Sequence, residues 1–316
     1  MVREIDLGNG GLGVSTFPGE TGNIYAKIEY YRGKDVSVSI PESFEEAPVT
    51  AIGKKAFLGA KTLTKISLPK AVSSIGDYAF ASCSSLKELE IPGGRIEYGI
   101  GVFKDCGKLE RIVRKSGPDT DADLGDAVAY MEADLLQKDL PYLLALSVTR
   151  LDAMYLLEDD TAGSPEWFER LDGALTLFLG KDDSEGFSKM LLCGEEDYVG
   201  DESNLDTYCL IKKKEKVRAL FTRLLHDAGL SEANKKVFAG YMMENMDHVV
   251  WPLLLDEHGE DKEYFDLLID IGCIGPENVS SLIESMGDRY TTMKGYLIRY
   301  KGETGEESSF FDDMEL

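Results

Sequence analysis

The chain has 316 residues, 43% hydrophobic and 29% charged, long enough for two domains with cores of their own and too apolar for a disordered polymer. Its net charge of −24 is lopsided: residues 1–118 carry 16 basic against 14 acidic side chains, and residues 119–316 carry 18 against 44. So acidic a half repels phosphate backbones and gains nothing from counterion release, which argues against nucleic acid as its partner. No stretch approaches the roughly 20 apolar residues needed to span a bilayer.

Residues 1–35 are expected to form an N-terminal β cap. EIDLG and NIYAKIEYYRG read as strands. Between them, Gly8-Asn9-Gly10-Gly11-Leu12-Gly13 matches the letters of the G-x-G-x-x-G dinucleotide fingerprint. That motif needs a helix opening at its last glycine so that amides can meet pyrophosphate. The next residues are VSTFPGETG, with β-branched side chains, a proline and glycines, so the stretch reads as a hairpin turn and no cofactor is expected. No basic leader precedes an apolar run. The five cysteines, Cys83, Cys106, Cys193, Cys209 and Cys273, are odd in number and lack CxxC spacing. Both features suit a reducing compartment, and the expected location is the cytoplasm.

Residues 36–115 repeat. LTKISLPKAVSSIGDYAFASCSS, 63–85, returns as LKELEIPGGRIEYGIGVFKDCGK, 86–108. Leu63, Leu86 and Leu109 lie 23 apart, as do Ile66, Leu89 and Ile112; Ile52, Ile75 and Tyr98; Gly53, Gly76 and Gly99; and Phe57, Phe80 and Phe103. Within a unit, L-x-x-I-x-L-P sets apolar residues on one side of a short strand that the proline ends. The glycine and the small residue before Phe are expected to let the chain turn, and the Phe to fill the coil. One unit cannot cover its own apolar side, so successive units must stack into a solenoid with a parallel sheet. Cys83 and Cys106, one unit apart, are expected to be stacked buried thiols rather than a disulfide.

The pattern IGxxAFxxCxxLxxIxIP resembles the BspA-type leucine-rich repeat, a bacterial variety with a 23-residue period. The resemblance implies that strand residues between the apolar ones face outward on a concave, partner-binding side. Here these are Ser37 and Ser39, then Lys65, Ser67, Glu88, Glu90, Arg111 and Val113, and the last six form the candidate site. Lys65, Glu88 and Arg111 fall on neighbouring strands with alternating sign, which fits a cross-strand charge ladder as well as a recognition surface. At the place of the third apolar-Pro pair stand Arg114 and Lys115, so the ladder is expected to end there, with a linker at 116–122.

Residues 123–302 change to helical periodicity and form the expected acidic α-helical domain. Val217, Leu220, Phe221, Leu224 and Leu225 share one helix face, as do Val279, Leu282, Ile283 and Met286, and Met293, Tyr296, Leu297 and Tyr300. Ser164-Pro165-Glu166, Ser231 and Gly275-Pro276-Glu277 mark helix starts, and Gly229 and Gly272 mark stops. Leu225 to Leu268 and Gly229 to Gly272 are both 43 apart, as in a stack of helical hairpins with a loose ankyrin-like look. Residues 303–316 read as a frayed acidic tail.

Chemistry-bearing motifs are sparse. Glu158, Asp160, Gly163 and Glu169 fit positions of a calcium loop, but Ala162 stands where an oxygen ligand is needed and Pro165 interrupts. The histidines, His226, His248 and His258, have no metal spacing; His226 reads as a helix C-terminal cation and His258 as part of a solvated loop. No catalytic, cofactor or metal residue is assigned. The fold class expected is a β-rich leucine-rich repeat solenoid followed by an all-α array. The function expected is a non-catalytic protein-interaction module that binds neither nucleic acid nor membrane. The resemblance also admits a cell-surface adhesin or glycan binder, and an enzyme sited in the helical half is a further alternative.

Overall fold

The computed structural model describes residues 2–20, 22–115, 127–188 and 204–312. The chain divides into two compact units, Met1–Leu175 and Thr176–Leu316.

The first unit opens with antiparallel strands β1 (Arg3–Asp6), β2 (Gly10–Pro18) and β3 (Ile24–Gly33). The glycine-rich stretch is the β1–β2 turn: the Leu7 amide donates to the Gly10 carbonyl at 2.7 Å, Gly8 takes φ +92°, and the chain continues as strand. The coils come next, with β4 (Ser37–Ser39), β5 (Ser43–Phe44), β6 (Ala47–Ile52), β7 (Lys65–Ser67), β8 (Ser74–Ile75), β9 (Glu88–Pro92), β10 (Glu97–Tyr98) and β11 (Arg111–Lys115). They build two sheets. One runs β1-β2-β3-β6-β8-β10, with β5 against β6, and the other runs β11-β9-β7-β4. Pairing between coils is parallel and in register at the 23-residue step, as in Ile66 beside Leu89 and Leu89 beside Ile112. About four coils stack, and the cap strands extend only the first sheet.

The core between the sheets is a set of columns. Leu63, Leu86 and Leu109 are buried, as are Ile66, Leu89 and Ile112. Phe57 and Phe80 stack with ring centroids 5.3 Å apart, and Phe80 and Phe103 at 6.0 Å with planes within 7°. Tyr31, from the cap, lies on Phe57 at 5.3 Å and extends the column by one ring. Cys83 and Cys106 are buried free thiols, and each donates to the carbonyl of a column residue, Phe57 at 3.1 Å and Phe80 at 3.0 Å.

The repeated glycines do a different job from the one expected. Gly53, Gly76 and Gly99 are not where the backbone turns left-handed. The positive φ values sit instead at Lys55, Tyr78 and Gly101 and at Gly59, Ser82 and Asp105, two series that keep the same step. A Cβ on Gly76 would come within 2.6 Å of the Lys54 nitrogen, and one on Gly99 within 2.4 Å of the Asp77 nitrogen. Glycine is needed there because adjacent coils touch backbone to backbone. The Gly76 amide donates to the Ile52 carbonyl at 2.8 Å and the Gly99 amide to Ile75 at 2.7 Å.

β11 is the edge strand of its sheet among the described residues. β11 pairs with β9 as far as Lys115 beside Pro92. The two departures from the repeat are held by polar partners instead of apolar ones: Arg114 donates to the Leu157 and Asp159 carbonyls, and Lys115 donates to Ser67 Oγ and the Leu68 carbonyl, both at 2.7 Å. The linker expected at 116–122 lies outside the described residues. The unit then continues into α1 (Ala127–Thr149), which packs on β11, and α2 (Met154–Leu157). Next comes α3 (Pro165–Leu179), whose first turn is capped by Ser164 Oγ accepting from the Trp167 amide. Buried Trp167 donates its indole N–H to the Leu156 carbonyl at 2.9 Å.

The second unit holds α4 (Leu205–Leu225), α5 (Glu232–Glu244), a π-helical turn at Met246–Val250, α6 (Trp251–His258), α7 (Lys262–Asp270), α8 (Val279–Ser285) and α9 (Thr291–Asp312). Val217, Leu220, Phe221 and Leu224 are buried, as the helical spacing predicts. Ser231 caps α5 by accepting from the Asn234 amide at 3.2 Å, and Gly229 and Gly272 take the left-handed φ of a helix stop.

Three expectations shift. α8 starts at Val279 rather than Pro276, because Asn278 Oδ1 accepts from the Gly275 amide at 2.9 Å and its Nδ2 donates to the Cys273 carbonyl, which closes a turn ahead of the helix. α9 runs on to Asp312, through most of the stretch expected to fray; once Met293 and Leu297 are buried, each further helical residue adds a bond without a new nucleus. His258 ends α6 rather than sitting in a loop, and its ring stacks on Tyr264 at 3.7 Å with Nδ1 3.0 Å from Asp261.

Candidate functional site

The six residues of the expected face lie side by side on the outward side of the β11-β9-β7-β4 sheet, while Ile66, Leu89 and Ile112 between them point into the core. The parallel register sets Ser37, Lys65, Glu88 and Arg111 in one row and Ser39, Ser67, Glu90 and Val113 in the next.

The charges in these rows are joined. Lys65 Nζ is 2.7 Å from Glu88 and 2.6 Å from Glu90, so one ammonium bridges both carboxylates of the next strand. Arg111 reaches Glu88 from the other side at 2.9 Å. Lys115 stands 3.8 Å from Glu90 while it holds Ser67. Hydrogen bonds to Glu88 and Glu90 push the Lys65 ammonium above its ordinary range, against a small opposing effect of burial. The Lys65 hydrogen bond holds the Glu90 carboxyl below the usual carboxylate range, and burial only partly offsets it. Each cross-strand pair of this sort contributes about 0.2–1 kcal/mol, with more than a third of the Lys65 side chain still in solvent.

Sequence reasoning missed two members of this face. Lys115 reaches it from the position where the repeat carries a proline, and Tyr142 of α1 lies 5.4 Å under the Arg111 guanidinium. The signal for Lys115 was its departure from the repeat; Tyr142 comes from another element and left none. Arrayed as they are, these groups can bind and orient a charged or hydrogen-bonding surface.

Elsewhere, the calcium-like stretch is a helix connection. It folds around Asp159, which accepts from the Thr161 amide and hydroxyl at 2.9 and 2.7 Å and pairs with Arg170. Among the described residues no group of three or more His, Cys, Asp or Glu is placed to hold a metal ion. No helix there is long and apolar enough to cross a membrane.

Two parallel-strand faces closed by stacked apolar coils define a leucine-rich repeat solenoid. Residues 30–120 match the family model described as BspA type Leucine rich repeat region, in six copies, and this segment is a BspA-type array. No curated protein matches the chain. Among solved structures, a leucine rich repeat protein of T. pallidum is 30% identical over 35% of this chain and 50% of its own, with a TM-score of 0.30. A leucine rich cell surface protein of Faecalibacterium prausnitzii is 23% identical over 36% of this chain and 30% of its own, at 0.27. A leucine-rich repeat protein of Bacteroides capillosus is 23% identical over 36% of this chain and 99% of its own, at 0.26. The chain thus spans half or less of the first two of these proteins.

Proposed function

We propose that the chain is a non-catalytic module that binds another protein, with the face of Lys65, Ser67, Glu88, Glu90, Arg111 and Val113 as the docking surface. The observation that carries this reading is the in-register ladder itself. Side chains already fixed by neighbours lose little rotamer freedom when a partner arrives, and their alternating signs offer a pattern that a complementary surface can match. A surface built from rigid repeats favours the same class of role. The acidic residues beyond position 118 add a second attraction, for a basic partner. The proposed compartment is the cytoplasm, which the free thiols of Cys83, Cys106, Cys209 and Cys273 favour; recovery of the protein from a cell-wall fraction would reverse that.

The test compares capture from the native cell by the unaltered chain and by the double variant Glu88→Lys, Glu90→Lys. The expected outcome is a protein retained by the first and lost by the second, with the melting of the variant lowered by the loss of its ladder pairs but its folded state kept at the temperature of capture. A partner retained equally by both removes this face from the proposal, and no specific partner at all removes the function.

A further inference from the structure

The sheet of β3, β6, β8 and β10 has a solvent side of its own, opposite the buried Ile28, Ile52 and Ile75. Its register sets Lys27, Ala51, Ser74 and Glu97 in one row, about 14 Å long at the usual strand spacing. Ala51 and Ser74 are short, so the middle of the row is a trough. Two shallow depressions, of about 530 and 390 Å³, meet there and share Ala51, Ser74 and Glu97.

One wall of the larger depression is aromatic. Phe17 and Tyr25 are opposite each other on β2 and β3, with ring centroids 6.0 Å apart. The Tyr25 ring lies over Gly19, where a Cβ would meet it at 2.3 Å, so close packing against glycine fixes the ring before any ligand arrives. Ser73 and Ser74 supply hydroxyls to the floor, and Arg95 and Glu97 line the depression as exposed side chains of opposite charge.

We propose that this trough binds a neutral carbohydrate chain, with the Phe17–Tyr25 wall against the C–H face of a pyranose and the Ser73, Ser74, Arg95 and Glu97 side chains on its hydroxyls. The groups present fit a ligand that is flat and apolar on one side and carries both donors and acceptors at its edge. Arg95 and Glu97 offset one another in the larger depression, and the two lysines that line the smaller one are each paired with a carboxylate, Lys27 with Glu29 at 3.0 Å and Lys54 with Asp77 at 3.1 Å, so the trough has little net pull on a polyanion. Its shallow form suits a hydrated ligand, whereas an apolar small molecule needs a site that buries most of its surface. The trough is separate from the charge ladder, and neither proposal depends on the other.

The test presents the full chain to an array of neutral oligosaccharides of glucose, galactose, mannose and N-acetylglucosamine, followed by calorimetric titration with the best-retained member. Binding is expected to weaken by about ten-fold or more in Phe17→Ala, which removes the wall, and in Ser74→Lys, which fills the floor. Melting temperatures should stay unchanged, and substitution of the exposed Lys61, Lys61→Ser, should leave binding as in the unaltered chain. Retention of no neutral oligosaccharide, or equal retention by both trough variants, overturns the proposal. So does finding that extended peptides, and not sugars, are what Phe17→Ala loses.

Discussion

In the first unit, Phe57, Phe80 and Phe103 occupy equivalent places and touch one another in turn. In the second, Gly229 and Gly272 lie 43 residues apart and share a left-handed φ, but the chain beyond them differs. After Gly229, Ser231 caps a helix at once, whereas after Gly272 come buried Cys273 and Ile274 and the Asn278 turn. The difference arises from where the backbone hydrogen bonds go. Each coil of the solenoid bonds to the next, as Phe57 does to Ala79 at 2.7 Å and Phe80 to Val102 at 3.1 Å, so a slip of one residue would leave buried amides and carbonyls unpaired. A helix satisfies its own backbone, so a hairpin can drift from its neighbour at no such cost.

The comparison breaks most sharply at a repeated core position. Ile66→Asp removes about 1.5–3 kcal/mol of apolar burial and leaves a charge with no partner among the Leu and Ile columns. The cooperative thermal transition of the solenoid is expected to disappear; if the variant melted like the unaltered protein, the assignment of strand faces would be wrong. Next in size is an ion pair in the helical unit. Lys216 is nearly buried, 2.7 Å from Asp183, and donates to the Lys181 carbonyl. Lys216→Ala strands that carboxylate and should cost about 3 kcal/mol in chemical denaturation. Ser231→Ala removes one helix cap and should cost about 1 kcal/mol, and urea melts of the pair would show whether local features of the second unit act one by one.

The smallest effect expected is a pH dependence in the ladder. Because the folded Glu90 carboxyl is held below its ordinary range, its contribution is fully present above the pKa of the unfolded chain and is lost as pH falls through the folded value. Glu90→Gln should therefore flatten the acid limb of the stability profile and leave the region near neutrality little changed. An unchanged acid limb would mean that the Lys65 contact does not persist in solution.

What could be read from the sequence was what repeats. The columns at 52, 57, 63 and 66 and their equivalents appeared as periodic letters, and each is buried as the period implies except Tyr98, which is half-buried. The glycine column was visible too, but its cause was not. A turn and a close approach both favour glycine, and the true left-handed positions carry Lys55, Tyr78 and Ser82, whose letters give no sign of it. Tyr31 was missed because it joins the ring column from an antiparallel strand with a different spacing. At Arg114 and Lys115 the apolar pattern stops although the strand runs on through both, because their partners are backbone carbonyls and a serine, which leave no apolar signature. In the ladder, the sequence supplied facing and sign, but the sharing of Lys65 between two carboxylates depends on side-chain reach.

The ring column has a consequence for how such a chain changes over generations. Phe57 meets Phe80 much as Phe80 meets Phe103, so removing the whole segment from Leu63 to Ser85 would bring like surfaces together, and duplicating it would do the same. Loss of half that segment would join unlike ones. The length of this part of the molecule is therefore free to change only in whole coils, and gain or loss of a coil would widen or narrow both solvent faces together while the cap and the final strand kept their neighbours.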